Sequence, residues 1–189
     1  RDTRFDNGTI VTIQDHVQER NGMYILQSDW EHDSELLMEN VTLSGSIDHH
    51  IRFQGSSFTD SRMVVENSRF GREVSPTAPH SFLVYLTPIV RSQVRFDDVE
   101  CFNAGYGFNW YGGDSSLKGS TLSFNNVRSS GLQVFVDGST FDDDASDIIA
   151  HNCSFTTGVV LQHTHSSDES PPSSSKALHD EDPFGRLEC

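Results

Sequence analysis

Six times along the chain an apolar residue is followed by any residue, a second apolar residue, a polar residue and then Asn or Asp. The runs are Val11-Thr12-Ile13-Gln14-Asp15, Leu36-Leu37-Met38-Glu39-Asn40, Met63-Val64-Val65-Glu66-Asn67, Val94-Arg95-Phe96-Asp97-Asp98, Leu122-Ser123-Phe124-Asn125-Asn126 and Ile148-Ile149-Ala150-His151-Asn152. The closing positions 15, 40, 67, 98, 126 and 152 are separated by 25, 27, 31, 28 and 26 residues. Alternation of this kind predicts a strand with one buried face. Asn and Asp tolerate the left-handed backbone region and bond their own turn, so the closing residue predicts a corner. A second apolar pair follows in most repeats: Met23/Ile25, Ile51/Phe53, Phe82/Val84, Tyr106/Phe108, Val134/Val136 and Val159/Leu161.

A unit of about 27 residues cannot bury its apolar face alone, whereas stacked units can. The motif keeps one sense from repeat to repeat. A sandwich of hairpins would have no reason to keep it, so parallel stacking is favoured over a sandwich. The expected fold is all-β: a single-stranded, right-handed parallel β-helix of about six coils over residues 1–165. At ~4.8 Å per coil it would rise on the order of 29 Å. Residues 71–81, with Pro76 and Pro79, read as an inserted loop that explains the 31-residue step. From Ser166 to Cys189 the chain reads as a Ser/Pro-rich acidic tail, disordered in expectation. A strand edge left open at residue 165 needs a cap or more coils, which favours a fragment of a longer protein.

Charge narrows the function classes. The 189-residue chain carries 13 Lys and Arg against 28 Asp and Glu, a net charge of −15. Nucleic-acid binding and adhesion to anionic lipid both need a basic face, so neither is expected. No run approaches the ~18 apolar residues of a membrane span, so no direct membrane insertion is expected. Cys101, Cys153 and Cys189 are too few and too widely spaced for a zinc site or a disulfide framework. Cys101 and Cys153 lie two coils apart, about 9.6 Å, beyond disulfide reach.

Three acceptor triplets for N-glycosylation occur, at Asn7, Asn40 and Asn152. If the corner ladder is buried, only Asn7 is a credible acceptor. Such triplets lean toward a secreted or surface location.

Phe53-Gln54-Gly55-Ser56-Ser57-Phe58, Val136-Asp137-Gly138-Ser139-Thr140-Phe141 and Ala150-His151-Asn152-Cys153-Ser154-Phe155 resemble strings in the pectin-lyase-like β-helical ectodomains of kinetoplastid surface proteins, notably the trypanosome dispersed gene family. The resemblance spans roughly residues 36 to 165. It implies a cell-surface or extracellular location, membrane anchoring through other parts of a larger protein, and adhesion without established chemistry.

Three residue sets carry candidate chemistry. The residue before each Asx points outward, giving the column Gln14, Glu39, Glu66, Asp97, Asn125 and His151. Three successive carboxylates ~5 Å apart either fan into water or recruit a cation, and calcium favours such oxygen ligands. With Arg95 on the same face, this is the arrangement a Ca-dependent polysaccharide lyase uses. Glu39, Glu66 and Asp97 would be the metal ligands and Ca2+ the cofactor. The paired-Asp hydrolase motifs are absent. Trp110 and Tyr111 either stack in the core or, if exposed, stack on a sugar ring. His49-His50 and His163-Thr164-His165 read first as ordinary histidines. The leading expectation is a non-enzymatic β-helical surface domain whose acidic face contacts a glycan or a host or cell-surface protein. A Ca-dependent polysaccharide lyase is the alternative.

Overall fold

The computed structural model describes residues 3–46, 48–71, 80–102, 107–111, 117–137, 146–156, 158–164 and 187–188. Among them every regular element is a strand, and every strand pair is parallel. The chain is a β-solenoid with four walls. Wall one stacks Thr3–Phe5, Ser28–Glu31, Ser57–Thr59, Ile89–Val90 and Leu117–Lys118. Wall two stacks Ile10–Gln14, Glu35–Glu39, Arg62–Glu66, Gln93–Asp97, Thr121–Asn125 and Asp147–His151. Wall three stacks Val17–Gln18, Thr42–Leu43, Arg69–Phe70, Glu100–Cys101, Arg128–Ser129 and Ser154–Phe155. Wall four stacks Met23–Leu26, His49–Gln54, His80–Tyr85, Phe108–Tyr111, Leu132–Asp137 and Val159–Thr164. The coil count departs slightly from six complete turns: five windings carry all four walls, and the last lacks a described wall-one strand.

Wall two is the wall formed by the sixfold motif. Val11, Leu36, Met63, Val94, Leu122 and Ile148 pair in one register column, and Ile13, Met38, Val65, Phe96, Phe124 and Ala150 in the next. The closing Asp15, Asn40, Asn67, Asp98, Asn126 and Asn152 all adopt positive φ, between 49° and 54°. There the strand ends and the chain turns into wall three. The corner column is exposed, not buried. Burial therefore does not exclude Asn40 and Asn152 as glycan acceptors, and the restriction to Asn7 falls.

On wall four the column is Met23, Ile51, Phe82, Phe108, Leu132 and Val159, followed by Ile25, Phe53, Val84, Trp110, Val134 and Leu161. Two of the expected pairs are thus shifted by two residues: Phe108/Trp110 replaces Tyr106/Phe108, and Leu132/Val134 replaces Val134/Val136. A slip of two keeps every side chain on its face, so alternation alone could not detect it. Tyr106 itself lies outside the described residues.

The core is a continuous aromatic and aliphatic stack. Phe5, Trp30 and Phe58 lie over one another in wall one, with centroid separations of 4.1 and 5.7 Å. Phe82 sits at the centre, 5.6 Å from Phe53, 5.0 Å from Phe96 and 5.7 Å from Trp110. Parallel stacking sets like residue over like, so aromatic pairs form between coils without long-range design.

A second, polar ladder lies under the corner between walls one and two. Thr9, Ser34, Ser61, Ser92, Ser120 and Ser146 stand six positions before each closing Asx. The five serines are buried. The backbone N–H of Ser61 donates to Ser92 Oγ (3.0 Å), and that of Ser92 to Ser120 Oγ (3.1 Å). Ser61 and Ser92 hydroxyls each donate to the carbonyl two residues earlier, at 2.8 Å. A hydroxyl that both accepts and donates satisfies the polar backbone inside a tight bend.

Of the expected insertion, residues 72–79 lie outside the described residues, and His80 and Ser81 already belong to wall four. Most of the expected tail, 166–186 and 189, also lies outside them. Leu187–Glu188 returns to the solenoid and pairs in parallel with Ala150–His151. Cys101 and Cys153 are not bonded to each other, in keeping with their two-coil separation.

Candidate functional site

The outward column of wall two forms in register: Gln14, Glu39, Glu66, Asp97, Asn125 and His151. Side chains of the protein itself pair with its carboxylates. Gln14 Nε2 donates to Glu39 Oε2 at 3.2 Å. Arg95 pairs through Nε with Asp97 and through Nη2 with Glu66 Oε1 at 3.6 Å. Asp97 is only 7% exposed. Glu39, Glu66 and Asp97 therefore stack but do not bring their oxygens together as a ligand set. Among the described residues the one set whose ligand atoms fall within 4.8 Å of each other is Asp6, Glu31 and His32. That set is also internally compensated: His32 Nδ1 meets Asp6 Oδ1 at 2.7 Å, and Arg4 Nη2 meets Glu31 Oε2 at 2.5 Å. The His32 contact holds the Asp6 carboxyl below the usual carboxylate range. The Arg95 guanidinium is thus engaged by two carboxylates of the same wall.

Trp110 is 2% exposed and stacks on Phe82, so it belongs to the core and offers no ring to a sugar. The expectation of a Trp110 platform is corrected. Alternation sent Trp110 to the same face as Phe108, and that face is inward. The Tyr111 backbone pairs with Tyr85 on the outward register, while its side chain lies outside the described residues. Asn7 is exposed at a positive φ of 55°, and its backbone N–H donates to Asp6 Oδ1 at 2.8 Å. His163 and His165 offer no described side chain.

The charged surface that the sequence did not single out runs along the corner between walls one and two. There an open groove of about 450 Å³ is lined by Asp33, Glu35, Asp60, Ser61, Arg62, Arg91 and Gln93. It crosses three coils, because Glu35, Arg62 and Gln93 share one register column. Arg91 grips Asp60 with both Nε and Nη2 at 2.6 Å. That bidentate pair lowers the Asp60 carboxyl and raises the Arg91 guanidinium. Arg62 Nη2 donates to Glu35 Oε1 at 2.6 Å. The groove therefore presents fixed donors and acceptors of both signs on rigid strand ends. The signal was present: in each coil these residues fall five to seven positions before the closing Asx, beside the serine column.

A second polar cluster occupies the start of wall four. His49 and His80 pair in register with rings stacked at 5.7 Å. Asp48 Oδ1 meets His49 Nε2 at 3.1 Å, and Tyr24 donates to Asp48 Oδ2 at 3.1 Å. Burial pushes the His49 ring down, against the pull of Asp48. His50 is fully buried, and burial followed by the neighbouring His49 lowers it to about 4. It takes the slot held by Gly22, Gly107, Gly131 and Gly158 in other coils. At Gly22 a side chain is excluded, because an added Cβ would sit 1.9 Å from the His49 carbonyl oxygen.

The molecule is a parallel β-solenoid, compatible with a pectin-lyase-like β-helix. No protein-family model matches the chain, and no curated protein or solved structure matches it significantly. Among the described residues no helix is long and apolar enough to cross a membrane.

Proposed function

We propose that this solenoid is a non-enzymatic binding domain of a cell-surface or secreted protein, of the kind found in the kinetoplastid surface family it resembles. Its charged wall engages an extended glycan or a cell-surface protein. One observation carries the proposal: the groove over Asp33, Glu35, Asp60, Ser61, Arg62, Arg91 and Gln93 sets a polar residue, of varying charge, at the same positions of three successive coils. A linear polymer of sugars also repeats its hydroxyls, and a rigid ladder of side chains can meet several units without reordering. Planar guanidinium, carboxylate and amide groups are suited to paired hydroxyls. Adhesion needs no nucleophile or base, and the pairing of Arg95 with Asp97 and Glu66 fits a domain that binds without turnover.

The test is a glycan array and a cell-binding assay with the full chain. Binding should fall when Arg91→Ala or Arg62→Ala empties the groove of a donor, with the thermal midpoint little changed. Calcium-dependent release of unsaturated product from pectate or alginate, abolished by Asp97→Ala, would replace this proposal with the lyase. Absence of any glycan or cell-surface ligand would leave a structural spacer.

A further inference from the structure

The groove between walls one and two lies on the second to fourth coils, with further coils stacked on both sides of it. Its guanidinium groups are held by carboxylates of the preceding coil. Arg91 uses Nε and Nη2 on the two oxygens of Asp60, and Arg62 uses the same two atoms on Glu35 Oε1. Each guanidinium therefore keeps its two Nη1 hydrogens for a ligand, and Glu35 keeps Oε2. Both arginines are more than half exposed, at 60% and 52%, so these groups face the groove and not the core. The column through Glu35, Arg62 and Gln93 continues to Thr121. Along the wall it offers an acceptor, a donor, an amide that does both and a hydroxyl that does both.

Resting on the glycan reading above, we infer that the polymer this groove takes is an uncharged polysaccharide, laid along the solenoid axis over Glu35, Arg62 and Gln93. Charge decides the class. Asp33, Glu35 and Asp60 stand against Arg62 and Arg91, so the groove itself is slightly negative, in a chain of net charge −15. A uronate or sulfated polymer would be repelled on approach, and at contact the two guanidinium charges are already offset by Asp60 and Glu35. A polycation would meet those same exposed guanidinium groups. A neutral polymer meets neither penalty.

Sugar hydroxyls both donate and accept, so neighbouring hydroxyls fit a row in which donor and acceptor alternate. The ion pairs position that row. A guanidinium already locked to a carboxylate loses little further freedom when a hydroxyl joins it. Because Coulomb attraction between groove and ligand plays no part, binding should be nearly indifferent to salt.

The experiment is calorimetric titration of the full chain with two neutral polymers, a β-glucan and a galactomannan, and two anionic ones, polygalacturonate and heparin. Each is run at about 0.05 M and about 0.5 M NaCl, either side of physiological ionic strength. A neutral polymer should bind, with Kd changing less than about twofold between the two salts. Arg91→Ala should weaken that binding about tenfold, with the thermal midpoint little changed. Arg91→Lys should weaken it nearly as much, because an ammonium keeps the charge but lacks the planar pair of N–H groups. Binding to the anionic polymers alone, lost as salt rises, overturns the inference and leaves a glycan site standing. Binding retained in Arg91→Lys but lost in Arg91→Ala also overturns it, since charge would then carry the contact. Binding to no polymer of either class overturns the glycan reading and this inference together.

Discussion

Asn152 Nδ2 donates to Asn126 Oδ1, one coil below, at 2.6 Å. Asn40 repeats the contact with Asp15 Oδ1 at 3.1 Å. At these two steps the residues that bend the chain thus also tie one coil to the next.

At Asn67, φ is 49°. Asn67→Gly should be nearly neutral, since glycine enters the left-handed region without strain. Asn67→Val should cost about 1–2 kcal/mol because a β-branched side chain resists that region. Urea unfolding of the two variants checks the order; equal costs would remove the corner from the account of the fold.

Ser92 Oγ accepts the N–H of Ser61 in a buried bend. Ser92→Ala leaves that N–H without a partner and should cost about 1–3 kcal/mol, more than an exposed Ser→Ala change. Ser154→Ala on the exposed end of wall three is the comparison.

His50 titrates near 4 when folded against an ordinary value of 6.5. Below pH 6.5 the unfolded chain takes up a proton that the folded chain refuses, so stability falls from pH 6.5 down to about 4 and no further from this group. Between pH 7 and pH 5 the loss is on the order of 2 kcal/mol. His50→Leu should flatten this part of the profile, measured by urea midpoints at the two pH values. An unchanged slope would place the acid sensitivity elsewhere.

Phe82 contacts five aromatic neighbours. Phe82→Ala should cost about 3–5 kcal/mol, and Phe5→Ala, only partly buried in the first coil, much less. Thermal unfolding measures the difference.

Cys101 is fully buried, and burial raises its thiol well above the ordinary range. In native protein Cys153 should react with a thiol reagent long before Cys101, as read by peptide mass mapping.

How much was legible follows from what each residue had to do. The wall-two columns and all six left-handed corners could be read because their pattern combines alternation with a fixed Asx, two independent constraints on one register. Wall four lacked a closing residue, so its pairs were placed on the correct face but slipped by two at Phe108 and Leu132. The hydroxyl column from Thr9 to Ser146 was as regular as the corners. It went unread because Ser and Thr are common and carry no hydropathy signal. The acidic column was visible as a spacing, but its chemistry was not. The partners of Glu66 and Asp97 come from Arg95, whose reach along its own strand and back one coil only side-chain geometry shows. The groove needed the corner between two walls, which no single strand pattern contains. His49 and His80 came together because both stand two residues before an inward apolar residue, Ile51 and Phe82.

The hydrogen bonds that join coils all run along the solenoid axis, while the strands lie across it. Tension applied between the two ends would load one rung at a time, as in opening a zipper, and not shear whole strands together. A tethered molecule of this build should therefore yield gradually, releasing slack winding by winding and recovering it when the pull relaxes.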